Sequence, residues 1–319
     1  MPNKTKKFSF FLIKLAIVVG AFYFIYDKTI HNPQLNFQDF INQLEYSIAE
    51  SYKTIFTLLG FTIFNWLFEI LKWQKLVSIV KHITFYNSLQ QSLGSLTASL
   101  FTPNRIGEYG AKAIYYKKGN RRKIMLLNLL GNMSQMSVTL TLGAIGLLYI
   151  FINFKLEIDV YRFKKLGYLV AIVLLIVLGI GLKGFKKIRG FYIDKIILFV
   201  KKMSLKSHLT IVLFSFLRYL IFSHQFYFLL IIFEVNLDYL TCMSLITAMY
   251  FLASIVPSLA LLDWLVKGSV AIWIFSLVSV NELIIVTITL LMWILNFGIP
   301  AIIGSYFVLN FKLPSIENE

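Results

Sequence analysis

Six stretches of this chain are apolar for long enough to cross the hydrocarbon of a bilayer: Phe8 to Tyr26, Ile55 to Leu71, Ile124 to Ile152, Leu166 to Leu182, Leu209 to Phe233 and Leu283 to Leu309. A core of about 30 Å takes roughly 20 helical residues. No water is available there to satisfy backbone N–H and C=O groups, so each run must close its hydrogen bonds within itself as an α-helix. With 58% of residues hydrophobic and 14% charged, the fold class expected is all-α, a polytopic integral membrane protein. Residues 1–319 form a single transmembrane domain on this reading.

Two further apolar stretches, Leu89 to Phe101 and Leu240 to Val256, stop abruptly at Pro103 and Pro257. Each is followed by a charged segment and a second, weakly apolar limb. The basic connections Lys72 to Lys81, Arg105 to Lys123 and Lys183 to Lys206 are placed in the cytoplasm by the positive-inside rule, and the net-acidic Asp27 to Glu50 and Glu234 to Asp238 outside. The slightly basic Lys155 to Lys165 dissents from this scheme. It gives a multi-pass protein of the cytoplasmic (inner) membrane with both termini in the cytoplasm. The two proline-broken segments then dip in and return from opposite faces, as re-entrant hairpins over about 86–118 and 240–279 among six full spans. The alternative is that every limb crosses, giving ten spans.

Lys4, Lys6 and Lys7 ahead of the first run imitate a signal peptide, but Tyr23, Phe24 and Tyr26 stand where a cleavage site needs small residues, so the run reads as a retained span. Stretches 37–48 and 191–203 alternate as interfacial amphipathic helices do.

The two broken segments share a grammar. ASLFTPNRIGEYGAK, from Ala98, and ASIVPSLALLDWLVK, from Ala253, each run through a proline, an acid and, four residues on, a lysine. Pro103, Glu108 and Lys112 thus correspond to Pro257, Asp263 and Lys267. Duplication in oppositely inserted segments is the pattern of an inverted repeat, whose broken helices bring free ends and charges to a central polar site. Proline ends the incoming limb, and Gly107 and Gly110 are read as the residues that let the backbone turn. Spacing of four allows Glu108 to pair with Lys112 and Asp263 with Lys267, acid first.

Polar residues recur at helical spacing on three spans: Asn128, Asn132, Gln135 and Thr139; Ser215, Arg218 and Gln225; Asn65, Glu69 and Lys72. Asn128, Asn132, Gln135 and Gln225 are expected to line a cavity or to bond between helices. Arg218, in mid-run, needs a partner, expected in Glu108, Asp263 or a ligand phosphate. Glu69 and Lys72, near the end of their run, read as surface charges.

The motif TPNRIGEYGAK, followed by a basic turn and a long polar-striped helix, resembles the first signature of the lysylphosphatidylglycerol synthase transmembrane region, the flippase-like membrane domain family. The second family signature has a glycine-rich turn after its proline and ends in Glu; here PSLALLD has no glycine and ends in Asp263. The resemblance covers nearly the whole chain. It implies two re-entrant hairpins and the movement of modified phospholipids or lipid-linked glycans across the cytoplasmic membrane. It carries Pro103, Arg105, Gly107, Glu108 and Lys112 to the first hairpin and Pro257 and Asp263 to the second. Some members continue into a soluble aminoacyl transferase; the chain ends at Glu319, soon after its last span, and is expected not to be a complete aminoacyl-lipid synthase.

The expected function is therefore a membrane lipid translocase with a headgroup site formed by Arg105, Glu108, Lys112, Arg218, Asp263 and Lys267. Four of these are cationic and two anionic, which favours an anionic or lipid-linked headgroup. Glu108 and Asp263 are read either as orienting the cations or as receiving an amine. Two other readings are an enzyme acting on a lipid-linked substrate and an accessory subunit of a separately encoded lipid or glycosyl transferase. The chain carries no H-E-x-x-H or G-x-S-x-G motif, so a transporter is favoured over an enzyme, with no catalytic residue assigned. Four scattered histidines and the lone Cys242 lack metal spacing, and no metal or other cofactor is expected. The formal charge of +16 is concentrated in loops beside the spans, which points to membrane lipids as partners and not to nucleic acid. Gly179, Gly181 and Gly184 spell a dinucleotide fingerprint without the strand it requires. The sequon Asn132-Met133-Ser134 lies inside a span. Oligomeric state is not addressed by the sequence.

Overall fold

A computed structural model describes residues 52–100, 102, 105–154, 203–255 and 263–312. Among these, 84% are helical and none is in a strand. The expected spans 8–26 and 166–182, the interfacial stretches 37–48 and 191–202, the loop 155–165, the glycines at 179, 181 and 184, and both Pro103 and Pro257 lie outside the described residues.

The helices are α1 (Tyr52–Val77), α2 (Phe85–Ala98), α3 (Gly107–Ala113), α4 (Lys118–Asn153), α5 (Leu205–Ile232), α6 (Tyr239–Ile255), α7 (Asp263–Ser276), α8 (Glu282–Trp293) and α9 (Ile299–Leu309). A π-helical turn, Ile294–Gly298, joins α8 to α9. Four helical units are long and apolar enough to cross a membrane: α1, α4, α5 and the continuous 28-residue α8–π–α9 unit. At 1.5 Å per residue the last is about 42 Å long. By contrast α2 and α7, at 14 residues each, reach only about 21 Å, and α3, at seven, about 10 Å. None of these three limbs is long enough by itself to cross 30 Å of hydrocarbon.

Local chemistry sets the ends. Thr84 caps α2 by accepting from the Asn87 amide at 3.2 Å, and Asn281 caps α8 through the Leu283 amide at 2.8 Å. The turns after α5 and α7 place Glu234 (φ 56°) and Ser279 (φ 56°) in the left-handed region. In each, the next amide reaches back to a helix carbonyl, Val235 to Leu230 and Val280 to Phe275, closing the last turn.

Where helices share an apolar solvent, close backbone approach replaces the hydrophobic drive. Helix α4 lies along α6 at Gly143 and Gly146; a methyl on either would overlap the Thr247–Phe251 side of α6. Helix α9 lies along α2 in the same manner, with Gly304 against the Leu93 carbonyl and the Thr97 hydroxyl donating to the Ala301 carbonyl at 2.7 Å. Helix α1 packs along α5, where Phe68 and Phe214 stack at 6.1 Å. The α8–π–α9 unit is the central one: 61% of its most apolar window is buried, against 22–33% in the other three.

The π turn has a sequence cause. Pro300 carries no amide hydrogen, so the Asn296 carbonyl one turn earlier loses its usual donor. The turn widens, the Ile299 amide bonds to the Ile294 carbonyl five residues back, and the indole N–H of Trp66 takes the open Asn296 carbonyl at 3.1 Å. A polar residue in the middle of an apolar helix is thereby turned toward α1 and α5.

Candidate functional site

The charged residues of the first broken segment are drawn inward. Arg105 occupies the left-handed region (φ 57°) in the turn ahead of α3. Its guanidinium pairs with the Glu108 carboxylate at 2.8 Å, and the other oxygen of Glu108 pairs with Lys112 at 2.7 Å. Glu108 is 4% and Lys112 1% exposed, so the expected acid-first pair forms in the interior. Lys112 is fully engaged: it donates to Asn128 at 2.9 Å and stands 4.2 Å from the ring centre of Trp73. Trp73 is held in turn by Gln91, which also accepts from the Tyr116 hydroxyl.

Gly107 and Gly110 divide. A methyl on Gly107 would strike Thr102, whose hydroxyl accepts the Gly107 amide at 2.9 Å, so this glycine permits the turn to fold back on itself. Gly110 lies inside α3 with open space where a side chain would go. It breaks nothing, and the left-handed residue of the turn is Arg105.

Arg218 finds a partner that the sequence did not suggest. Its Nη1 lies 2.7 Å from Glu69, and its Nε donates to Asn65 at 3.1 Å. Glu69 is shared with Lys72, also at 2.7 Å. Expected as surface charges, Glu69 and Lys72 are instead buried, at 8% and 2% exposure. The reason is that α1 continues to Val77 and presents this turn to α4 and α5. A buried carboxylate is tolerated when ringed by cations and hydrogen-bond donors.

From Asn65 the network runs on through side-chain amides. Asn65 donates to Asn296 at 2.8 Å, Asn296 to Gln225 at 2.7 Å, and Gln225 to the Leu58 carbonyl and the Thr62 hydroxyl. Asn296, absent from the sequence-based site, is its hub. The available signal was a lone asparagine in an apolar run four residues before a proline.

The second broken segment supplies Asp263 and Lys267 at 2.5 Å, again acid first at a spacing of four, with Lys267 5.9 Å from the Tyr250 ring. This pair is about one-third exposed, unlike its counterpart on α3.

Between these groups lies a cavity of about 370 Å³. Arg105, Arg218, Asp263 and Lys267 line it, as do Gln135 and Thr139 of the α4 stripe. Trp66, Trp264 and Trp293 supply much of its apolar wall. Four of the six expected headgroup residues are therefore on one cavity, while Glu108 and Lys112 stand behind Arg105 as its support. Of the residues expected to line the cavity, only Gln135 does. Asn128 serves Lys112, Asn132 donates to the Tyr109 hydroxyl at 3.1 Å, and Gln225 is fully buried in the amide chain. Among the described residues no cluster of histidine, cysteine or carboxylate side chains has the form of a metal site.

Comparison with protein-family models and with curated proteins finds no match to this chain.

Proposed function

We propose that this protein is a lipid translocase of the cytoplasmic membrane, in which the cavity admits a phospholipid or lipid-linked headgroup while the acyl chains stay in the bilayer. The observation that carries the reading is that three cations, Arg105, Arg218 and Lys267, meet on one cavity between helices of bilayer length. Charges inside a membrane are expensive and usually mark a substrate path. Aromatic side chains, among them Trp66, Phe222, Trp264 and Trp293, also stand on the wall, which suits a headgroup whose glyceride end is apolar.

In this reading α2 with α3, and α6 with α7, are two re-entrant hairpins of an inverted repeat, and the chain's termini face the cytoplasm. Support comes from limbs too short to span and from the Glu108–Lys112 and Asp263–Lys267 pairs at matching positions. Glu108 and Glu69 act as orienting groups, each tying one cavity arginine to a buried lysine.

The test is headgroup transfer between leaflets in liposomes containing the purified protein, read by quenching of a fluorescent phospholipid from outside. Arg105→Gln and Arg218→Gln are each expected to slow transfer about tenfold or more, the worth of one charge-assisted hydrogen bond. Transfer at the unmodified rate by both variants would remove the cavity from the path.

A further inference from the structure

The central helical unit is broken where it meets the cavity, and its two halves are fixed to different parts of the molecule. Thr289, Met292 and Trp293 of α8 line the cavity, as do Asn296 and Phe297 of the π turn. Beyond the turn, α9 is held backbone to backbone by α2: the Leu93 carbonyl lies where a methyl on Gly304 would go, and Thr97 donates to the Ala301 carbonyl at 2.7 Å. Tyr115, just after α3, adds an edge-to-face contact with Phe311 at 4.6 Å. Ahead of the turn, α8 packs on α7, with the Thr289 hydroxyl 3.3 Å from the place of a methyl on Gly268. Ala271, Ile274 and Phe275 of α7 share a buried core with Ile285, Ile288 and Met292 of α8. One half of the unit thus goes with the first broken segment and the other with the second.

The turn between them is built to bend. Sharp bends in helices concentrate at prolines and π turns, and here Pro300 and the Ile294–Gly298 turn coincide. The Asn296 carbonyl, which in an α-helix would accept from residue 300, is taken by the Trp66 indole of α1 instead. Bending at this level therefore breaks no ladder bond at that carbonyl. Around the turn, α8 with α7 and α9 with α2 share one apolar cluster that includes Trp264, Leu290, Leu96 and Phe307. Apolar contact is non-directional, so such a surface can shear.

What holds the turn is polar and lies on the cavity. The Asn296 side chain accepts from Asn65 of α1 at 2.8 Å and donates to Gln225 of α5 at 2.7 Å. Asn65 accepts in turn from Nε of Arg218 at 3.1 Å, so a cation of the cavity stands one step from the turn. An anion that draws the guanidinium into the cavity weakens this chain at its first link.

We propose that the π turn is a hinge on which the two broken segments swing against each other, that Asn296 is its latch, and that Arg218 sets the latch according to what the cavity holds. This rests on the translocase reading for what the motion carries, but the motion is measured without lipid transfer.

Double electron–electron resonance on the full chain in nanodiscs tests it, with spin labels at Ser269→Cys on α7 and Tyr306→Cys on α9 in a Cys242→Ala background. Both label sites are exposed, and Cys242 is buried. This parent is expected to show two distances that differ by about 5 Å or more, the rise of one helical turn. Pro300→Ala returns the missing amide, and Trp66→Phe leaves the Asn296 carbonyl free to receive it. The double variant is expected to show one narrow distance and to slow leaflet transfer in liposomes severalfold. Asn296→Leu is expected to move the population toward the distance that is minor in the parent, and Arg218→Met to move it the same way. A single distance in the parent that Asn296→Leu leaves in place, or two that persist in the double variant, overturns the hinge. A response to Asn296→Leu with none to Arg218→Met overturns the coupling to the cavity. Two distances that collapse in the double variant of a protein that moves no lipid uphold the hinge and refute the translocase. Transfer at the parental rate by a double variant held at one distance overturns the hinge's part in transport and leaves the translocase standing.

Discussion

Glu108→Gln is the substitution whose cost the structure fixes most firmly. The side chain changes by one atom, so packing is nearly constant, but both charge pairs of Glu108 are lost. Arg105, with its side chain 31% exposed, can turn into the cavity and be hydrated. Lys112, at 1%, has no such escape and keeps only neutral contacts, namely Asn128, the face of Trp73 and the amide oxygen of the new glutamine. Removing one partner of a buried pair costs about 3–5 kcal/mol, and the remaining cation–π contact offsets about 1 kcal/mol of that, so a loss of about 2–4 kcal/mol is expected. Asp263→Asn breaks the corresponding pair where both side chains are about one-third exposed, and an open pair is worth about 1 kcal/mol or less. Reversible unfolding in mixed micelles with increasing denaturing detergent, followed by circular dichroism, compares the two directly. Adding Lys112→Met to Glu108→Gln removes the stranded charge and is expected to recover most of the loss. Equal costs for Glu108→Gln and Asp263→Asn, or no recovery in the double variant, would refute the claim that the first pair is interior and the second is not.

Two other expectations use the same unfolding measurement. Gly304→Ala drives a methyl into the Leu93 carbonyl and the Thr97 hydroxyl, costing about 1–3 kcal/mol, whereas Gly110→Ala fills open space inside α3 and is expected to stabilise by about 0.5–1 kcal/mol; the same sign for both would contradict the packing described. Asn296→Leu leaves the Asn65 and Gln225 side chains each short of a partner, at about 1–3 kcal/mol per buried group, and a change below about 1 kcal/mol in total would show that the amide chain does not depend on its hub.

The long helices were legible because a bilayer-length apolar run has one solution for its backbone. Ile55 to Leu71 and Ile124 to Ile152 fall within α1 and α4, Leu209 to Phe233 matches α5 up to its capping residue Phe233, and Leu283 to Leu309 falls within the continuous α8–π–α9 unit. Spacing of four also placed Glu108 with Lys112 and Asp263 with Lys267, since neighbours on one helical face meet wherever the helix lies. These are short-range consequences of the sequence.

Which faces meet is a long-range matter, decided by the packing of whole helices, and there the sequence was silent or misleading. Glu69 and Lys72 sit near the end of an apolar run, the usual place for interfacial charge, yet α1 carries them against α4 and α5 and makes Glu69 the partner of an arginine 149 positions away. Asn296 became a hub because Pro300 opens its carbonyl, a local cause, and because α1 and α5 supply Trp66, Asn65 and Gln225, a tertiary one. The sequence by itself determined that these helices form and which close neighbours pair along them. Only their assembly decided which charges line the cavity and which are sealed behind it, because burial depends on what the opposite helix presents and no periodicity within one helix encodes that.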